Sequence, residues 1–118
     1  SGEAVCDGCG QCFVTLGKPE PRDIRYAREA YDLAVRTLDE SQADLVILDE
    51  ISNALHYQLL DLEDAASLIA RRPPGVELVL TGRNMPAAIL DMADLVTEMR
   101  MVKHPFESGI AARHGIEY

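Results

Sequence analysis

The stretch Asp44-Leu45-Val46-Ile47-Leu48-Asp49-Glu50 decides the fold of this 118-residue chain. Its four consecutive apolar residues are too few for a helix core. They suit a strand buried on both faces, as strands of a parallel sheet are. The run stops at two carboxylates, which a buried strand carries only past its end. In open α/β sheets, ligands bind outside the carboxyl ends of the strands. An Asp at such a tip is a common means of holding Mg²⁺ in nucleotide-binding proteins, directly or through water, and an adjacent Glu can orient that water. The same pair also suits a helix start, with Asp49 as the cap and Glu50 favoured by the helix dipole. Spacing alone leaves both readings open.

Working outward from this strand, Ile24, Ala27, Tyr31, Ala34 and Leu38 recur at three- and four-residue steps, which predicts a helix from about Arg22 to Glu40. Ile51, Ala54, Leu55 and Leu59 keep helical spacing beyond the strand. Asp61, with Asp64 three residues on, reads as the cap of a further helix that Pro73-Pro74-Gly75 ends. Val76 to Leu80 is a second short apolar strand, and it runs into Thr81-Gly82-Arg83-Asn84-Met85-Pro86. Gly82 permits a sharp turn or a close backbone approach, and Arg83 offers a planar fork of donors for phosphate or carboxylate. Asn84 and Pro86 read as the cap and early proline of a short helix to about Met92. A last strand is expected near Asp94 to Val102, followed by Lys103, His104 and Phe106. Strands alternating with helices imply an α/β fold with a parallel sheet. The acidic tip and the basic tip then face one edge, and a metal–nucleotide site there is the leading inference from pattern.

The length allows one domain, and an apolar fraction of 47% is ordinary for a chain with a core. A net charge of −9 disfavours a general binder of nucleic acid. No apolar run approaches the roughly 18 residues that span a bilayer, and no secretory signal is visible. The expectation is therefore a soluble, cytoplasmic protein with neither nucleic acid nor membrane as partner.

Residues 1–21 have the glycine and proline content of loops, with Val5 and Phe13 to Leu16 as possible strand fragments. All three cysteines fall there, at Cys6, Cys9 and Cys12. Their spacing can supply three thiolates to zinc or an iron–sulfur cluster. No fourth cysteine or nearby histidine completes the set, and a glycine-rich turn with reduced thiols is the favoured reading.

From about Asp23 to Tyr118 the sequence resembles the P-loop type of cob(I)alamin adenosyltransferase, also called ATP:corrinoid adenosyltransferase. The resemblance is carried by Asp44-Leu-Val-Ile-Leu-Asp-Glu-Ile, Leu78-Val-Leu-Thr-Gly-Arg-Asn and Ala93-Asp-Leu-Val-Thr-Glu-Met-Arg. The tail Val102-Lys-His-Pro-Phe-Glu-Ser-Gly-Ile, ending Gly115-Ile-Glu-Tyr, carries it further. It implies a P-loop NTPase-like (RecA-like), mostly parallel sheet flanked by helices. It also implies transfer of the 5′-deoxyadenosyl group of ATP to the Co(I) of a corrinoid such as cobalamin, with release of triphosphate. Cobalt is the nucleophile, so no protein side chain is expected to be catalytic in the covalent sense. The resemblance implies that Asp49 and Glu50 hold or orient Mg²⁺, that Thr81 and Arg83 lie near the triphosphate, and that Phe13 packs beside the corrin. An aromatic wedge there helps displace the lower axial ligand of cobalt, which eases reduction to Co(I). Thr15 stands where the family often has a tryptophan. A flavoprotein-type reductant is implied as partner.

One departure is large. The family's Gly-rich phosphate loop is absent from these 118 residues, whose two lysines, Lys18 and Lys103, lie outside any such motif. Without those amides and that lysine, ATP loses most of its phosphate cradle. The expectation is a single domain that forms the C-terminal part of a longer protein and is poorly active alone. Loss of a central first strand is expected to expose sheet edges and apolar faces, which leaves room for self-association, homodimerisation included. The alternatives are a non-catalytic binding or assembly module of the same fold and a metal-binding module on Cys6, Cys9 and Cys12.

Overall fold

The structure, a computed structural model, describes residues 18–116. The first helix, α1 (Pro21–Asp39), begins where proline is best tolerated, and the Glu20 N–H is taken up by Asp23 Oδ2 at 3.3 Å. Its apolar stripe ends in Ala34 and Leu38, both buried. The strand β1 (Leu45–Leu48) follows, then α2 (Ile51–His56) and α3 (Leu62–Arg71). Strand β2 (Glu77–Leu80) and α4 (Ala87–Met92) come next, and a 3₁₀ turn spans Pro105–Ser108. The helices α1 to α4 and the strands β1 and β2 fall where the sequence places helices and strands, whereas the 3₁₀ turn was not foreseen.

β1 and β2 pair in parallel, Leu45 with Glu77 through Leu48 with Leu80. The chain returns between them through α2 and α3, the crossover that parallel pairing demands. Val46, Leu48 and Leu80 pack on a core of Ala34, Leu38, Ile51, Ala65, Leu68, Val76 and Ile89, which draws on all four α-helices. Leu38 and Leu68 are completely enclosed, and truncating either to alanine costs about 2–5 kcal/mol.

The expectation of two-sided burial does not hold among the described residues. Leu45 is 51% exposed, Ile47 57% and Val79 41%, so one face of the sheet carries apolar side chains that no described element covers. The strand expected near Asp94 to Val102 is also not formed. A strand exists through its pairing, and no described segment pairs with these residues; Met99 is 93% exposed. No described helix is long and apolar enough to cross a membrane.

Two ion pairs fasten the helices. Arg71 grips Asp39, and Arg28 makes a two-pronged contact with Asp64 at 3.1 and 3.0 Å. Asp64 also accepts the Asp61 N–H at the head of α3, as its spacing predicts. The Arg28 guanidinium, hydrogen-bonded to it, holds the Asp64 carboxyl below the usual carboxylate range, and the Asp61 N–H adds to this against partial burial. A carboxyl with a depressed folded pKa stabilises above its ordinary pKa, and that contribution fades as pH falls through the folded value. Asp64→Asn is therefore expected to lower stability by about 1 kcal/mol at pH 7. The gap should be narrower at pH 3, where protonation of the carboxyl has begun to remove the contribution. Urea denaturation at both pH values checks this, and a gap that stays constant with pH would refute it.

Candidate functional site

The parallel register decides what meets at the carboxyl edge of the sheet. Thr81 N–H donates to the Leu48 carbonyl at 3.2 Å, which carries the ladder one step past β2 and sets Thr81 beside the residues that follow β1. Its hydroxyl then joins the two tips. Thr81 Oγ1 donates to Asp49 Oδ1 at 2.7 Å and accepts the Glu50 N–H at 2.9 Å. Asp49 thus has one oxygen fixed from behind, while the residue as a whole stays exposed. This is how a carboxylate is aimed before a ligand arrives.

Glu50 is held differently. Its backbone is left-handed (φ 52°, ψ 31°), a conformation that costs a non-glycine residue about 1–2 kcal/mol. Its Oε2 accepts from Asn53 Nδ2 at 2.9 Å. The reading of Asp49 as a helix cap is overturned, because its carboxylate engages Thr81 and Glu50 occupies the cap position of α2. Glu50 itself makes no side-chain cap bond. Asn84 is likewise not the cap of α4. It is left-handed (φ 51°), whereas a cap is extended, and Pro86 holds that place.

Gly82 follows Thr81 with φ 149°, close against Ser52 of α2. Arg83 is exposed and makes no hydrogen bond or ion pair with a described residue. A shallow depression of about 220 Å³ adjoins this turn, lined by Ser52, Leu55, His56, Leu62, Asn84 and Pro86. Phe106 lies in the 3₁₀ turn Pro105–Ser108, away in sequence from both tips. Phe13, Cys6, Cys9 and Cys12 lie outside the described residues.

Asp49, Glu50 and Thr81 are therefore brought together, with Arg83 two residues on in the same turn. What sequence reasoning missed is that Thr81 is spent largely within the protein, steering Asp49. It also missed Asn53 and Ser52, one steadying Glu50 and the other abutting Gly82. The glycine after Thr81 was the available signal for a close approach, but its partner Ser52, 30 residues earlier in the chain, was not.

As donors, one aimed carboxylate, a second beside it and a hydroxyl are hard oxygens, the chemistry that suits Mg²⁺. Among the described residues no group of three or more His, Cys, Asp or Glu comes together to hold a metal. Two carboxylates are what Mg²⁺ uses when phosphates supply the remainder.

The profile of the family described as ATP:corrinoid adenosyltransferase BtuR/CobO/CobP matches residues 4–118. A corrinoid adenosyltransferase of Sinorhizobium sp. is 36% identical over 110 residues, covering 92% of this chain and 51% of its own length. One from Pseudomonas aeruginosa is 37% identical over 109 residues, covering 92% and 54%. Corrinoid adenosyltransferase CobA of Salmonella typhimurium is 41% identical over 83 residues, covering 70% and 42%. The chain spans about half the length of the curated relatives it matches.

Proposed function

This chain belongs to the ATP:corrinoid adenosyltransferase family, and from that premise we propose that it carries the metal- and phosphate-facing edge of an enzyme that adenosylates a corrinoid with ATP. In that reaction the Co(I) electron pair of the substrate forms the bond to C5′ of ATP. The C5′–O bond breaks, and triphosphate leaves with the bonding pair. The fold in this reading is of the P-loop, RecA-like kind, and a flavoprotein-type reductant supplies Co(I).

The observation that supports the reading is the Thr81–Asp49 hydrogen bond, which joins the two strand tips at one edge of the sheet. Bound there, Mg²⁺ supplies positive charge against the departing triphosphate. Asp49 and Glu50 are the residues that hold it. Thr81 keeps Asp49 turned outward, and Arg83 offers its donor fork to the phosphates from the neighbouring turn. Phe13 is the residue proposed for the corrin side.

The test uses the protein carrying these residues, with ATP, Mg²⁺ and chemically reduced cob(I)alamin under anaerobic conditions. The expected result is loss of the Co(I) absorbance with one triphosphate released per cobalt alkylated. Release of ADP and orthophosphate without alkylation would overturn the reading in favour of an ordinary nucleotidase. Residues 1–118 alone, which contain no phosphate loop, are expected to turn over poorly in the same assay.

A further inference from the structure

Ser52, the second residue of α2, is only 3% exposed, and its hydroxyl is the one buried side-chain polar atom without a hydrogen-bond partner among the described residues. A buried hydroxyl in that condition is unfavourable, and alanine would suit the helix better. The residue it faces explains what the hydroxymethyl group is for. A β-carbon on Gly82 would stand 1.8 Å from Ser52 Oγ and 2.5 Å from Ser52 Cβ. The Ser52 side chain thus fills the space directly in front of the Gly82 α-carbon. Gly82 is demanded twice over, by this contact and by its φ of 149°, which side chains rarely adopt.

The turn after β2 is therefore held at two joints. One is polar, the Thr81 hydroxyl on Asp49 and on the Glu50 N–H. The other is steric, Gly82 against Ser52. Arg83 comes next in the chain and has no described side-chain partner to fix it, so its position is inherited from the backbone of Gly82. Both joints are made by residues clustered just past β1, Asp49 and Glu50 in one and Ser52 in the other.

We propose that Ser52 is a positioning residue for the nucleotide site, a wedge whose volume sets where the Thr81–Gly82–Arg83 turn rests relative to Asp49. The purpose of the wedge rests on the nucleotide reading above; the contact itself does not. The inference has an unusual signature, because removing an unsatisfied buried hydroxyl should not weaken the fold. Ser52→Ala is expected to leave the melting temperature unchanged or raise it. The same change should weaken Mg·ATP binding about three- to tenfold, since small misplacements of a binding group are felt strongly. Ser52→Thr, which keeps Oγ against Gly82 but adds a methyl group, should retain more of the binding than Ser52→Ala.

The decisive measurement combines three readouts on the protein carrying these residues. These are the melting temperature, calorimetric affinity for Mg·ATP, and ¹⁵N backbone order parameters at Gly82 and Arg83. In Ser52→Ala the order parameters should fall from the rigid range near about 0.85 toward about 0.6. Unchanged order parameters with unchanged affinity would overturn the proposal, and a lower melting temperature with both unchanged would mark a purely structural serine. If the wild-type protein binds no Mg·ATP, the nucleotide reading fails. The order parameters still decide whether Ser52 holds the turn.

Discussion

Asp49→Asn is expected to reduce kcat/KM for ATP-dependent alkylation by about 100- to 1,000-fold, equivalent to about 2.7–4 kcal/mol of transition-state stabilisation. The substitution removes charge and little else. Asn keeps an Oδ1 that can accept from the Thr81 hydroxyl, so the 2.7 Å link between the strand tips survives. Asp49 is exposed and past the end of β1, so no core contact is lost. The fold should stay within about 0.5 kcal/mol of wild type, because the residue is exposed and its link to Thr81 is kept. What disappears is the negative charge that the proposed site would offer to Mg²⁺. Raised Mg²⁺ should recover part of the rate if the loss is in metal affinity. Thr81→Val supplies the contrast: it keeps the carboxylate and removes what aims it. It also strips the Glu50 N–H of its acceptor, and a loss of about 10- to 100-fold is the scale for such an orienting partner. Turnover unchanged in Asp49→Asn would remove this residue from the site.

The contrast between Asp49 and Thr81 shows what a single sequence can and cannot display. Asp49 drew notice as a carboxylate ending a four-residue apolar run, although spacing alone left it equally open as a metal ligand or a helix cap. Helices announced themselves through their stripes, and α3 through the Asp61–Asp64 spacing at its head. Each of these signals is local, set by residues within four positions of one another. The pairing of Thr81 with Asp49 spans 32 positions, and it depends on the register of β1 with β2, which neither strand specifies alone. The same holds for Ser52 and Gly82. Asn84 misled because its usual capping role competes with its tolerance of left-handed backbone, and here the second property is the one used. The apolar run near Leu95 to Val102 misled because strand propensity needs a neighbour to become a strand.

The second large effect is expected at Arg83, and its form is as informative as its size. Arg83→Ala should lower activity by about 100-fold, the scale for removing one preorganised donor to developing charge. Breaking the C5′–O bond places a further negative charge on the departing triphosphate, so a cation near it is worth more in the transition state than beforehand. The loss should therefore appear mainly in kcat, with KM for ATP raised only modestly. Stability gives the control. Arg83 is exposed and bonded to no described residue, so its removal should leave the melting temperature unaltered. Arg83→Lys separates charge from geometry, since lysine restores a point charge without the planar fork. Recovery of less than about tenfold would assign Arg83 to two-pronged phosphate contact, whereas full recovery would assign it to charge alone. A loss confined to KM would mean that Arg83 binds ground state and transition state equally. The charge on the leaving group would then have to be met by other residues of the site.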